Sequence, residues 1–436
     1  METVMKHSKG NLVTTREPTW KLVPLWLIVA LIVSSPMIGA SVINAHMAEA
    51  LQMERTLLGA GMSLFVAVMS ISAPLVALGF SYFGIRRVAI AGTLLALIGA
   101  VLMGTVVNSG AQFIVIYGLV LGLGVGAAGV LPVQTVVASW FRHRRALAVS
   151  VVLSAIDFAG IIGSPLFAWL IEQAGDWRAG WWVTICCLLV AGVLILWVIP
   201  TNLTPDPHTM EVSPPVVDLH SSGTKVYKTP TPWKVSDAIR TRQFSCLLLY
   251  SLTNCIIWVF FLSHGVEHLQ DLGYSSTIAA SAVSIIVGAS LVGNVAAGLL
   301  GDRFAPHLLG AIAMLILAAG LALAEAPNGV YALVLFATLF GLGYGATQVC
   351  WITTLTNYFG TRAFPVLYGI ILAMGAVGGT VGGVGAGAIF DHLHSYASVF
   401  PIGITLAVII ALLQLIASPH SIRRARQHST PSHIGT

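Results

Sequence analysis

The chain has 436 residues, 57% of them hydrophobic and only 8% charged, with 44 glycines and a formal net charge of +5. Soluble domains carry about 25% charged residues, so this composition excludes a single soluble core and requires a polytopic helical membrane protein. The basic charges are divided among short loops and tails rather than gathered on one patch, so they do not point to nucleic acid.

In chain order, hydropathy predicts twelve membrane helices at 22–46, 57–82, 86–107, 111–139, 146–170, 178–199, 243–266, 275–300, 306–325, 328–357, 363–389 and 396–418. Each approaches or exceeds the ~20 residues that a bilayer core requires. Residues 1–21 read as a polar tail. The apolar run after them is too long for a signal peptide. Residues 200–242, with Pro205, Pro207, Pro214, Pro215, Pro230 and Pro232, read as a linker with a short helix near Trp233–Arg240. Residues 419–436 form a second tail. The expected domains are therefore a six-helix bundle over 22–199 and another over 243–418. Each of the five cysteines lies in or beside a span without metal-ligand spacing, so packing is their expected role. No cofactor and no metal are expected.

Charge orients the helices. With both termini cytoplasmic, all but Arg55 and Arg178 of the 21 lysines and arginines fall on the inner side. The halves also repeat. Gly122-Leu123-Gly124-Val125-Gly126 recurs as Gly341-Leu342-Gly343-Tyr344-Gly345, and Trp140-Phe141 with Arg144 recurs as Tyr358-Phe359 with Arg362. Six spans, a linker and six similar spans is a layout of transporters built from paired repeats.

The most informative stretch runs from Gly118 to Pro165. Its glycines recur at one-turn spacing, which lets helix backbones approach closely. Its short loop carries Trp140 and Phe141 followed by Arg142, Arg144 and Arg145, the order of a cytoplasmic edge. The next span carries Asp157 near mid-bilayer. Ser150, Ser154, Asp157, Gly160 and Ser164 share one helical face, too polar for lipid. An acid at that depth is costly and marks a functional site, here a proton-coupling group; the alternative is a protonated acid bonded to a neighbouring carbonyl that holds two helices together.

The stretch Gly298 to Phe304, with Asp302 and Arg303, resembles the loop signature of the major facilitator superfamily. Ala77, Ser81 and Tyr82 depart from the matching signature in the first half. The glycine run of span four, Trp140-Phe141 with Arg144-Arg145, Asp176-Trp177-Arg178 and His264 through Gly273 are similar to the monocarboxylate transporter and oxalate–formate antiporter branch. This resemblance implies an all-α fold of two six-helix bundles, with spans one, four, seven and ten lining a central cavity.

On those spans stand Tyr250, Asn254 and Trp258; Tyr344, Gln348 and Trp351; Gln134; and Ser34, Ser35 and Asn44. Aromatic walls with a few amides suit a flat or partly apolar solute. Asn294 in span eight stands where the branch commonly has arginine, and the middle of the spans holds no lysine or arginine. Asp302, Arg303, Arg144, Arg145 and His264 are the expected gating residues. Gly375, Gly379, Gly383 and Gly387 form a packing ladder in span eleven. The expected function is a non-enzymatic, monomeric carrier of an organic acid, coupled to protons, in the cytoplasmic membrane. Proton-coupled efflux of an apolar compound is the alternative. His264-Gly-Val-Glu267-His268 also matches a zinc-peptidase pattern, which offers a third and remote reading.

Overall fold

The computed structural model describes residues 17–53, 55–201, 226–229, 233–325 and 327–417. Most of both expected tails and of the linker lies outside them. The first bundle comprises α1 (Thr19–Ala50), α2 (Arg55–Phe83), α3 (Ile85–Thr105), α4 (Gly110–Trp140), α5 (Arg145–Ala174) and α6 (Arg178–Val198). The second comprises α7 (Arg242–Asp271), α8 (Ser276–Gly301), α9 (Pro306–Ala324), α10 and α11 within Gly329–Leu393, and α12 (Val399–Ile416). These helices are long and apolar enough to cross a membrane. Leu75, Val193, Val384 and Ile416 on their outer faces are exposed, as lipid-facing positions are.

Local chemistry sets the irregularities. Pro36 lacks an N–H and crowds the preceding turn, and α1 widens to π geometry over Ala30–Gly39. Ser109, Thr241 and Ser275 cap α4, α7 and α8 through their hydroxyls. The sequence predicts a loop between α10 and α11. Instead the helical run is interrupted at Gly360 alone, at φ 76° and ψ 179°. Glycine has no Cβ to oppose that φ, so one residue does the work of a loop.

The repeated glycine motif performs the same task twice. A Cβ on Gly124 would lie 2.5 Å from the Ala96 nitrogen of α3, and one on Gly343 would lie 2.5 Å from the Leu317 nitrogen of α9. The flanking glycines face the other neighbour. Gly122 and Gly126 meet the Phe65 and Met69 carbonyls of α2, whereas Gly341 and Gly345 meet the Ile286 and Ser290 carbonyls of α8. The ladder in α11 is corrected by one position. Gly378 and Gly382, rather than Gly375, Gly379, Gly383 and Gly387, meet the α7 backbone, at Leu252 and Ile256.

The bundles meet along two seams, α5 against α8 and α2 against α11. An even number of crossings puts both described ends on one face, which also carries Arg142, Arg144, Arg145 and Arg303. We call it the basic face. Near it the seams are tight. A Cβ on Gly298 would lie 2.0 Å from the Ser150 hydroxyl, and one on Gly369 would lie 2.8 Å from the Ala73 carbonyl. Toward the opposite face, Gly163 of α5 and Gly288 of α8 have open space where a Cβ would be.

Candidate functional site

Asp157 lies twelve residues beyond the start of α5, about 18 Å along its axis and so within the bilayer core. It is half-buried and looks across the seam at α8. Ser290 donates to its Oδ1 at 3.3 Å and the Asn294 amide donates to its Oδ2 at 2.5 Å. Ser290 and Asn294 are four residues apart, on one face of α8. On the α1 side, Trp26 donates to Ser154 at 3.2 Å and packs on Phe158 with ring centroids 5.3 Å apart. The acid, carried by the first bundle, is thus held by α8 of the second rather than turned to lipid.

Beside it the second bundle presents an aromatic and amide cluster. Trp258 of α7 stacks on Tyr344 of α10, with centroids 3.9 Å apart and planes at 13°. Such pairs contribute about 0.5–1.5 kcal/mol beyond burial. The Tyr344 phenol is near enough to Asp157 to feel its charge. Trp351 donates to Gln348 at 3.0 Å, Gln348 to Asn254 at 2.8 Å, Asn254 to Thr347 at 2.6 Å, and Thr347 to the Tyr344 carbonyl at 2.6 Å. Every member of this chain is fixed in orientation by its neighbour. Its spare amide hydrogens and lone pairs are neutral groups, suited to hydroxyls, carbonyls and the polar rim of an aromatic solute. On the first bundle, Gln134, Ser34 and Asn44 are buried with no partner for their side-chain polar atoms.

Other expected positions fall elsewhere. Tyr250 is fully buried and donates to the Gly310 carbonyl of α9 at 3.1 Å, so it ties α7 to α9, while its hydroxyl also lies against the Thr347 side chain of the amide chain. Arg144 and Arg303 are exposed. His264 bonds the Gly383 carbonyl at 2.9 Å and the Tyr396 hydroxyl at 3.0 Å, whereas His268 bonds the Ala324 carbonyl at 2.9 Å. The two histidines therefore face different helices, and no group of residues that could hold a metal occurs among the described residues.

The basic face carries a set of cross-bundle bonds. Asp302 accepts from the Ala146 and Leu147 N–H groups at 2.9 and 3.2 Å, so an acid from the second bundle caps α5 of the first. A carboxylate suits the orphan N–H groups and positive end of that helix. Burial is the main influence on Asp302 and raises its pKa, while the two N–H donors and Lys228 pull it back. The buried Arg145 donates to Asn357 of α10 at 2.8 Å. Glu17 accepts from the Arg142 and His143 N–H groups, Lys228 donates to the Arg142 carbonyl, and the Thr229 N–H donates to the Asn357 carbonyl. Asn357, Ser290, Thr347, Glu17 and Lys228 were not apparent from sequence. Only Ser290 carried a signal there, as the residue one turn before Asn294.

Two apolar helix bundles, a tight seam on one face and polar groups gathered between them define a membrane transporter rather than an enzyme. The chain belongs to the Major Facilitator Superfamily, whose model matches residues 25–287 and 266–433. Over 344 residues it is 25% identical to monocarboxylate transporter 13 of Bos taurus, covering 78% of this chain and 75% of that protein. It is 23% identical over 382 residues to the MFS-type transporter YcxA of Bacillus subtilis, covering 85% and 88%. Its fold is similar to that of the crystallised E. coli fucose:proton symporter FucP, with a TM-score of 0.70 at 15% identity over 92% of this chain and 100% of that one.

Proposed function

We propose that the chain is a secondary active transporter that carries an organic acid with a bulky, aromatic or otherwise apolar body, together with a proton, by alternating access. The observation that carries this reading is the Asp157 carboxyl at the bundle seam beside the Trp258–Tyr344 stack. Ionised, Asp157 repels an anionic solute; protonated, it does not, so proton and acid load together. With no lysine or arginine in the middle of a span, a small dianion would lose its hydration without a counter-charge. A stacking body offsets part of that cost. The name of the bovine relative supports a monocarboxylate. The basic face is cytoplasmic by the positive-inside rule, which makes the described state outward-facing, with both termini on the cytoplasmic side of the cytoplasmic membrane and one chain as the working unit.

The test is a thermal-shift screen of the purified protein against phenylacetate, benzoate, lactate and oxalate. A ligand at 100 times its Kd stabilises the folded state by about 2.7 kcal/mol. The aromatic acids are expected to raise Tm more than lactate, and oxalate to leave it unchanged. Trp258→Ala is expected to lower phenylacetate affinity about tenfold, the loss of roughly 1.4 kcal/mol of stacking and contact. No response to any acid sinks the proposal. The same absence of a central cation favours a second reading, export of an apolar compound. Stabilisation by uncharged aromatic compounds alone would select it.

Asp302, Arg145 and Asn357 form the inner gate in this reading, with Arg144 and Arg303 as exposed flanks and His264 fixing the outer end of α7 to α11. Asp302→Ala removes a charged cap of about 1.5–3 kcal/mol. It is expected to shift the population toward an open basic face at least tenfold. Spin labels on Arg144→Cys and Arg362→Cys report this as growth of the longer distance. An unchanged distance distribution contradicts it.

A further inference from the structure

We propose that Asn294 is the positioning residue that reads the proton on Asp157. Its amide donates to the ionised carboxylate and turns over to accept from the protonated acid, so α5 and α8 stay joined in both states. This rests on the coupling role given to Asp157 above.

An ionised carboxylate only accepts hydrogen bonds, whereas a protonated one has a donor that needs an acceptor. In the described state both Asp157 oxygens accept, one from Ser290 and one from the Asn294 Nδ2. The other half of the same amide is idle: the Asn294 Oδ1 is buried, in a residue only 3% exposed, and has no hydrogen-bond partner. Buried amide oxygens ordinarily have one. The terminal torsion of asparagine is broad and two-fold. A half-turn exchanges the bonded nitrogen for the idle oxygen, which then faces the Oδ2–H of the protonated acid. The bond between the helices survives, and one amide atom is left without a partner either way. Ser290 goes on donating to Oδ1. Leucine would serve neither state; a fixed cation or a second acid would serve only one.

The surroundings leave this pair to set the response. Ser276–Gly301 of α8 contains no titratable side chain, nor does α1 between Leu22 and Gly39. The Tyr344 phenol of α10 feels the Asp157 charge but is not among its hydrogen-bond donors, which are Ser290 and Asn294. Cys186 and Cys187 lie on α6, and Arg178, His46 and Glu49 lie near the outer ends of their helices.

The test is infrared difference spectroscopy of the full chain in lipid nanodiscs as pH is stepped. A carboxylic-acid C=O band that disappears in Asp157→Asn identifies the proton. In Asn294→Leu that band is expected at higher wavenumber, because the acid has lost its acceptor. Its titration midpoint is expected to rise by about one pH unit, because the bond to the charged form is the stronger of the two lost. Asn294→Ala gives the same readout without added bulk if the leucine variant does not fold, and Asn294→Gln is expected to restore much of the native response. An Asp157 band unchanged in position and midpoint in both Asn294→Leu and Asn294→Ala overturns the proposal, as does the absence of any Asp157 band. If the band responds as stated while Asp157→Asn still accumulates phenylacetate against a gradient, the pairing stands and the coupling role falls.

Discussion

Gly345→Ala is expected to cost at least about 3 kcal/mol of stability, a loss at the extreme of single substitutions. Overpacking a core by a methyl group usually costs about 1–3 kcal/mol, because side chains can yield. At Gly345 the obstacle is backbone: the added Cβ would lie 2.0 Å from the Ser290 carbonyl oxygen. The neighbours cannot take up the displacement. A Cβ on Gly341 would likewise lie 2.3 Å from the Ile286 carbonyl oxygen and one on Gly293 2.2 Å from that of Leu342, so α8 and α10 are interlocked from both sides. Forcing them apart would also draw Ser290 away from Asp157. The control is Gly163→Ala in α5, where a Cβ meets open space, and the higher helix propensity of alanine is expected to leave stability level or slightly raised. Thermal unfolding in detergent separates the two. Equal midpoints would contradict the close helix pairing.

The sequence showed the architecture because hydropathy, charge bias and glycine spacing are local signals. The paired glycine motif was visible as a repeat, and the structure gives the repeat its physical meaning: the middle glycine packs on one neighbour and the outer two on another. Asp157 was legible as a polar residue where lipid would forbid one. Its pairing with Asn294 and Ser290 was not, since both are more than 130 residues away in the chain. Helical spacing grouped Tyr250 with Asn254. Four residues at about 100° each overshoot a full turn by ~40°, and Tyr250 donates to α9 while still touching the Thr347 end of the amide chain. Asp302 and Arg145 were both expected at the gate, with no partner assigned to either, and they do not bond each other. Instead the acid takes two helix N–H groups and the arginine takes an amide. Such choices depend on which backbone groups a helix end leaves orphaned, and spacing does not encode that.

Asp157→Asn is expected to abolish proton-driven accumulation while sparing exchange. Asparagine keeps the size and one acceptor of the acid, so the bond from α8 survives, but it carries no transferable proton. A carrier that needs the proton to neutralise its site would then shuttle loaded and unloaded without reference to pH. The central measurement is uptake of labelled phenylacetate into proteoliposomes, with and without an acid exterior, beside counterflow at equal pH. The account predicts that the wild-type protein accumulates the acid at least tenfold under the gradient, and that Asp157→Asn retains counterflow but loses the response to pH. Gradient-driven accumulation by Asp157→Asn equal to that of the wild type would contradict it.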